Sequence, residues 1–387
     1  MADPALGGSP EWHLPHWFEP VVVSTLLACS MIGTRRRGFK IFGGKNYGYH
    51  PSTLDDPDYA DSSADLLAYD AANIDEVDGL PTTAKHPPKN RSCCGAIIQT
   101  PNSSRFARYY HSRILQKFPF LVEMFYWIVT WGCYNWSKDA AEILYSNEGI
   151  HSWARFFFPI HEIDVQNWLL NGHDLFLTLG NRIYALVHVP GTVAFIAWYY
   201  YVAPSHNTFA VVRRTLTLTN FTAFFIFTLY PVMPPRFLPQ EYGFLDTVHR
   251  ADVESVWMSG RYANLLAAMP SMHFGYASCI GCTMIYHSGF LRRRMEPGEV
   301  RKGRFWQLLY LAFGVCYPLF ILFVIIGSAN HYWLDVIAAA FVVIFSFLCN
   351  RIFLIFLPLE DLLLWVLRLE KPIPSTGERY RKRGGRL

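Results

Sequence analysis

Six apolar runs, each near the roughly 20 residues that a helix needs to cross a bilayer, constrain this chain more than any other feature. They are 118–135, 183–203, 216–233, 265–286, 306–327 and 332–350. Composition agrees with them. Of 387 residues, 52% are hydrophobic, 17% aromatic and only 17% charged, where soluble domains average about 25% charged. The chain therefore reads as all-α, a polytopic six-helix transmembrane bundle. A shorter run at 21–33, between Trp17 and Arg35-Arg36-Arg37, is an extra anchor or an interfacial helix. It makes a poor signal peptide, because no basic residue precedes it. Residues 352–367 carry Pro358, Glu360 and Asp361 and suit a helix lying at the membrane surface. Three regions follow. Residues 1–117 are a short apolar segment plus a polar, loop-rich, partly disordered arm; 118–350 form the membrane domain; 351–387 form the interfacial helix and a basic tail.

Charge orients the spans. Arg213 and Arg214 follow the second run, Arg292-Arg293-Arg294 and Arg301 follow the fourth, and Arg379, Arg381, Lys382, Arg383 and Arg386 end the tail. With Arg105, Arg108, Arg113 and Lys117 of the arm they share one side, which the positive-inside rule makes cytosolic. The loops 136–182 and 236–264 then face a lumen or the exterior. A net charge of +4 is too small to argue for nucleic acid. The eight cysteines lie mostly in or beside apolar runs and read as buried thiols. Cys279 and Cys282 lack the second ligand pair of a zinc site, and Cys93-Cys94 beside Arg91 are a weak lipidation signal.

Three short segments on the outer side carry the chemistry: Pro234-Pro235-Arg236, Pro270-Ser271-Met272-His273 and Asn330-His331-Tyr332-Trp333-Leu334-Asp335. One membrane histidine alone is often a packing residue. Two histidines, an arginine and an aspartate at one depth from three places in sequence argue for function, because such groups are costly there. His331 and Asp335 are four apart and would share a helix face. A carboxylate on one imidazole nitrogen fixes the tautomer and frees the other nitrogen to attack. His273 and Ser271 fall at a helix start, where free N–H groups and the dipole favour phosphate. The set fits phosphoryl transfer with no metal and no cofactor: one nucleophilic histidine, one acid–base histidine, and Arg236 as phosphate ligand, with Arg250 and Arg261 weaker candidates. Asn181, Tyr184 and His188 make a polar stripe that either lines a headgroup cavity or hydrogen-bonds between helices. His151, His161, Glu162, Asp164, His173 and Asp174 have the chemistry of metal ligands but not their spacing.

Pro-Ser-x-His followed by His-x-x-x-Asp resembles the type 2 phosphatidic acid phosphatase superfamily of six-span membrane enzymes. Pro-Val-Met-Pro-Pro-Arg at 231–236, Ala-Met-Pro-Ser-Met-His at 268–273 and Asn-His-Tyr-Trp-Leu-Asp at 330–335 resemble its inositol phosphorylceramide synthase-related branch. The resemblance implies that His331 is the nucleophile, Asp335 its orienting partner and His273 the general acid. It departs from the phosphatases where they carry a lysine, a proline and a second arginine, positions that hold Leu229, Phe237 and Ile325 here. The expected activity is transfer of a phosphoinositol-like headgroup from a glycerophospholipid donor to a ceramide-like lipid alcohol through a phosphohistidine. A lipid phosphate phosphatase is the alternative within the superfamily, and a non-catalytic membrane scaffold the alternative outside catalysis. An endomembrane, Golgi or endoplasmic reticulum, with a lumenal active site is expected.

Overall fold

The computed structural model describes residues 17–42, 88–93, 96–145, 161–247, 267–295, 299 and 301–377, and these are mostly helical. Cys94, His151, Arg250, Arg261 and the tail 379–386 lie outside them. In chain order the elements are α1 (Phe18–Gly33), the strands β1 (Lys89–Cys93) and β2 (Ala96–Thr100), α2 (Tyr110–Lys117), α3 (Leu121–Tyr145) and α4 (Glu162–Leu170). Next come α5 (Asp174–Arg182), α6 (His188–Val202), α7 (His206–Leu229), α8 (Met272–Ser288), α9 (Arg304–Gly327), α10 (Trp333–Cys349) and α11 (Leu357–Val366). A π turn, Ile183–Val187, joins α5 to α6.

The expected bundle of six spans is not what forms. Among the described residues only two runs are long and apolar enough to cross a membrane, Arg304–Gly327 and Trp333–Val366. The other four runs fail for separate physical reasons. Run 118–135 becomes part of a 25-residue helix that continues through Lys138, Asp139 and Glu142, and charge is costly in hydrocarbon. Run 183–203 is divided by the π turn, leaving the 15-residue α6. Run 216–233 is only the latter part of α7, which carries Arg213 and Arg214 and ends at Leu229. Run 265–286 loses its start to the non-helical stretch before Ser271, so α8 has 17 residues. The fold is also not purely helical, because β1 and β2 pair antiparallel from Lys89↔Thr100 to Cys93↔Ala96.

The chain divides into two compact units. The first comprises Met1–Leu27, Ile128–Ala197 and Thr215–Leu348. Its frame is the pair α8 and α9. Ser271 caps α8 by accepting a hydrogen bond from the Phe274 N–H, and Gly289, at φ 71°, ends it in the left-handed conformation that glycine tolerates. The two helices touch at Gly281 and Gly314, where neither has room for a Cβ. Ile321, Val324, Ile325 and Ile326 of α9 pack with Ala277, Tyr184 and Val336 into one buried cluster.

The second unit comprises Ala28–Trp127, Trp198–Arg214 and Cys349–Leu387. The β hairpin is tied to α11 by a buried ion pair: Arg91 Nε donates to Asp361 Oδ2 at 2.7 Å and Nη2 to Oδ1 at 3.2 Å. Thr100 Oγ1 adds a donor to Oδ2 at 2.9 Å. Removing one partner of a buried pair strands the other charge, at a cost of about 3–5 kcal/mol. Arg91→Ala is therefore expected to lower thermal stability by that order, measured by unfolding in detergent. An unchanged midpoint would refute the tie.

Candidate functional site

Main-chain hydrogen bonds knit the three motif segments together inside the first unit. Val232 and Ala267 form a parallel bridge, and the Ala268 N–H donates to the Val232 carbonyl at 3.0 Å. The Arg236 N–H donates to Ala329 O at 3.0 Å, joining the first segment to the third. The Ser271 N–H donates to Asp335 O at 3.1 Å, joining the second to the third. Ala329, fully buried and at φ 55°, turns the chain from α9 toward His331.

His331 precedes α10, whose first residue is Trp333, so the pairing with Asp335 is made across a turn and not along a helix face. Its Nδ1 lies 2.8 Å from the Ala268 carbonyl and 3.4 Å from Asp335 Oδ2. Both partners only accept when Asp335 is ionised, and a carbonyl always does, so Nδ1 carries the proton and the lone pair of a neutral ring lies on Nε2. Asp335, 0% exposed, also accepts from the Tyr332 N–H at 2.8 Å. Glu162 Oε1 accepts from the Trp333 N–H at 3.0 Å, satisfying one of the free donors at the start of α10.

His273 stands in the first turn of α8, its ring centroid 6.0 Å from that of His331. Its Nδ1 is 3.3 Å from the Tyr184 hydroxyl. The His188 ring is 5.1 Å away, and its own Nδ1 is 3.0 Å from the Tyr317 hydroxyl. Burial holds the His273 imidazole well below its ordinary pKa, and His188, His331 and Arg236 add to the effect. Burial also pushes the Tyr184 hydroxyl up to about 12, with Arg236 opposing. The guanidinium of Arg236 lies 4.6 Å from the Phe237 ring centroid, and its buried Nε and Nη1 have no hydrogen-bond partner among the described residues. Buried donors are ordinarily paired, so those two point to an anionic ligand.

The other candidates take different parts. The Ser271 hydroxyl and N–H are both engaged, in the cap of α8 and on Asp335 O. Asn181 donates to Thr247 O at 3.2 Å and to its Oγ1 at 3.3 Å, leaving Oδ1 buried without a partner among the described residues. Tyr184 and His188 sit beside His273 as described. Among the described residues no three His, Cys, Asp or Glu side chains converge as a metal site. Sequence reasoning missed the Ala268 carbonyl and Tyr317, and it saw Glu162 only as one of a set with metal-ligand chemistry, not as a partner of the α10 start. A carbonyl has no side-chain signature, Tyr317 lies 129 residues from His188, and Glu162 lies 171 residues from the Trp333 N–H it accepts.

Leu229 is exposed, and Ile325 is fully buried in the apolar cluster. Neither position supplies a cation. A family model described as the PAP2 superfamily matches residues 148–295 and 301–349. It spans every site residue named above and does not single out a branch. No curated protein matches the chain, and no solved structure does.

Proposed function

Because the chain belongs to the PAP2 superfamily, we propose that it cleaves the phosphate ester of a lipid through a phosphohistidine on His331. The observation that carries this reading is the hold on His331 Nδ1 by the Ala268 carbonyl, which leaves Nε2 to attack. Nε2 bonds to phosphorus as the bond to the ester oxygen breaks, and His273 gives that oxygen a proton. Water then displaces the phosphoryl group from Nε2 while His273 takes up the proton, as microscopic reversibility requires. The idle donors of Arg236 fit the charge that spreads over the phosphoryl oxygens. α9, one of the two helices long and apolar enough to cross a membrane, starts at Arg304 after Arg292-Arg293-Arg294 and ends just before His331, so a cytosolic basic end would give the site a lumenal aspect.

A second reading, transfer of a phosphorylated headgroup to a lipid alcohol such as ceramide, draws on Leu229 and Ile325. A monoester carries about 1.5–2 negative charges at neutral pH and a diester one. A site with Arg236 as the cation at these three positions matches the diester better, and phosphatidylinositol is a diester. The deciding experiment uses the full-length protein with labelled phosphatidate or phosphatidylinositol, with and without ceramide. Phosphate or headgroup released regardless of ceramide supports hydrolysis. A labelled ceramide lipid formed at the expense of that release supports transfer. No turnover of either donor would defeat both readings.

A further inference from the structure

The two histidines differ in what holds Nδ1. At His331 the holders are a carbonyl and a carboxylate. At His273 the holder is a phenol, which accepts without adding a charge that would bind the ring's proton. Tyr184 is set there by an unusual piece of backbone. The His188 N–H donates to the Ile183 carbonyl five residues back, and Pro190, with no N–H to give Leu186, follows in the next turn. Such π turns recur at functional sites. In the wider turn the four residues from Tyr184 to His188 nearly complete one revolution, so both rings face His273, at centroid distances of 4.4 and 5.1 Å. Tyr184 is 4% exposed, which leaves little of it to grip a headgroup.

We propose that Tyr184 is the positioning residue of His273, its hydroxyl accepting the Nδ1–H so that Nε2 alone exchanges the proton with the ester oxygens. Burial and the groups around it keep this ring neutral in the free site. A bound anionic ester offsets them and lets Nε2 take up a second proton. In the first half-reaction that Nε2–H goes to the leaving oxygen while Nδ1–H stays on the phenol. In the second, the bare Nε2 takes the proton of the incoming hydroxyl. The ring need not turn between the two. This inference rests on the role given above to His273.

The test compares Tyr184→Phe with the wild type on a natural lipid donor and on a nitrophenyl phosphodiester, whose leaving group needs little protonation. General acid–base catalysis contributes about 10²–10⁴-fold, and misorientation should forfeit about 10–100-fold of it. The ratio of natural to activated kcat should fall by that factor, with KM within about twofold as expected for a transition-state effect. An equal loss on both donors, or a rise in KM on both, would overturn the proposal in favour of a packing or substrate-gripping tyrosine. If Tyr184→Phe does not fold, a ring-fluorinated tyrosine at 184 keeps the volume and weakens the acceptor. The ratio should again fall, and an unchanged ratio counts against the proposal. Wild-type protein that turns over neither donor would remove the functional reading and this inference with it, whereas failure of the inference alone leaves wild-type turnover intact.

Discussion

His331→Ala is expected to abolish turnover on every donor, activated or not, while His273→Ala should be rescued by an activated one. The expectation follows from the two rings' partners. Loss of His331 removes the atom that bonds to phosphorus, and no leaving group can substitute for it. Loss of His273 removes a proton source, and its cost, about 10²–10⁴-fold, depends on how much the leaving oxygen needs protonation. A nitrophenolate needs little. Asp335→Asn should fall between them and nearer the wild type than a sole orienting partner would, because the Ala268 carbonyl still holds Nδ1 at 2.8 Å. The measurement is initial donor cleavage for the three variants on both donors, with trapping of phosphohistidine. Rescue of His331→Ala, or failure to rescue His273→Ala on the activated donor, reverses or removes the assignment.

A single methyl group at the crossing of α8 and α9 should unfold the first unit or nearly so. A Cβ at Gly281 would lie 2.5 Å from the Gly314 carbonyl oxygen and 2.7 Å from Pro318 Cγ. A Cβ at Gly314 would lie 2.7 Å from the Gly281 oxygen and 3.0 Å from the Ile285 nitrogen. Main-chain atoms cannot rotate aside, so the helices must part. Overpacking usually costs about 1–3 kcal/mol, and these substitutions should reach or exceed the top of that range. Small residues serve such close approaches where apolar burial cannot drive helices together. Activity should go too, since α8 carries His273 and α9 leads into the turn before His331. Gly132→Ala in α3 is the control: nothing lies within 4 Å of the added methyl, and removing a helical glycine should gain about 0.5–1 kcal/mol. Thermal unfolding of the three variants in detergent decides it, and a wild-type midpoint for Gly281→Ala would contradict the crossing.

What the sequence made legible was chemistry close to proline and helix ends. Pro270-Ser271 marks the start of α8, and it does start at Met272. The motifs around Arg236, His273 and His331 are short and local, so their residue types could be read without knowing the fold. Hydropathy was the poorer guide. A window average cannot see that Arg213 and Arg214 lie within the same helix as 216–229, or that Pro190 follows a π turn that divides another run. The hairpin at 89–100 was unreadable for a different reason. Lys89 and Arg91 look solvated in a polar stretch, yet both are buried, and the acid that receives Arg91 is Asp361. No local pattern records a partner 270 residues away.

The acceptor nearest the proposed nucleophile is a main-chain carbonyl, 2.8 Å from His331 Nδ1, and no codon change can delete it. Substitution at Ala268, a position with 0% exposure, can only displace that oxygen by what a larger side chain pushes against. Part of the ring's orientation is thus inherited through chain path. It is spread over chemically inert residues such as Val232 and Ala267, whose bridge keeps that stretch in place. Two holds on one nitrogen, one genetic and one architectural, give the site redundancy. On the proposed reading, a lineage that loses the carboxylate of Asp335 would keep a weakened enzyme, and from there selection would have something left to act on.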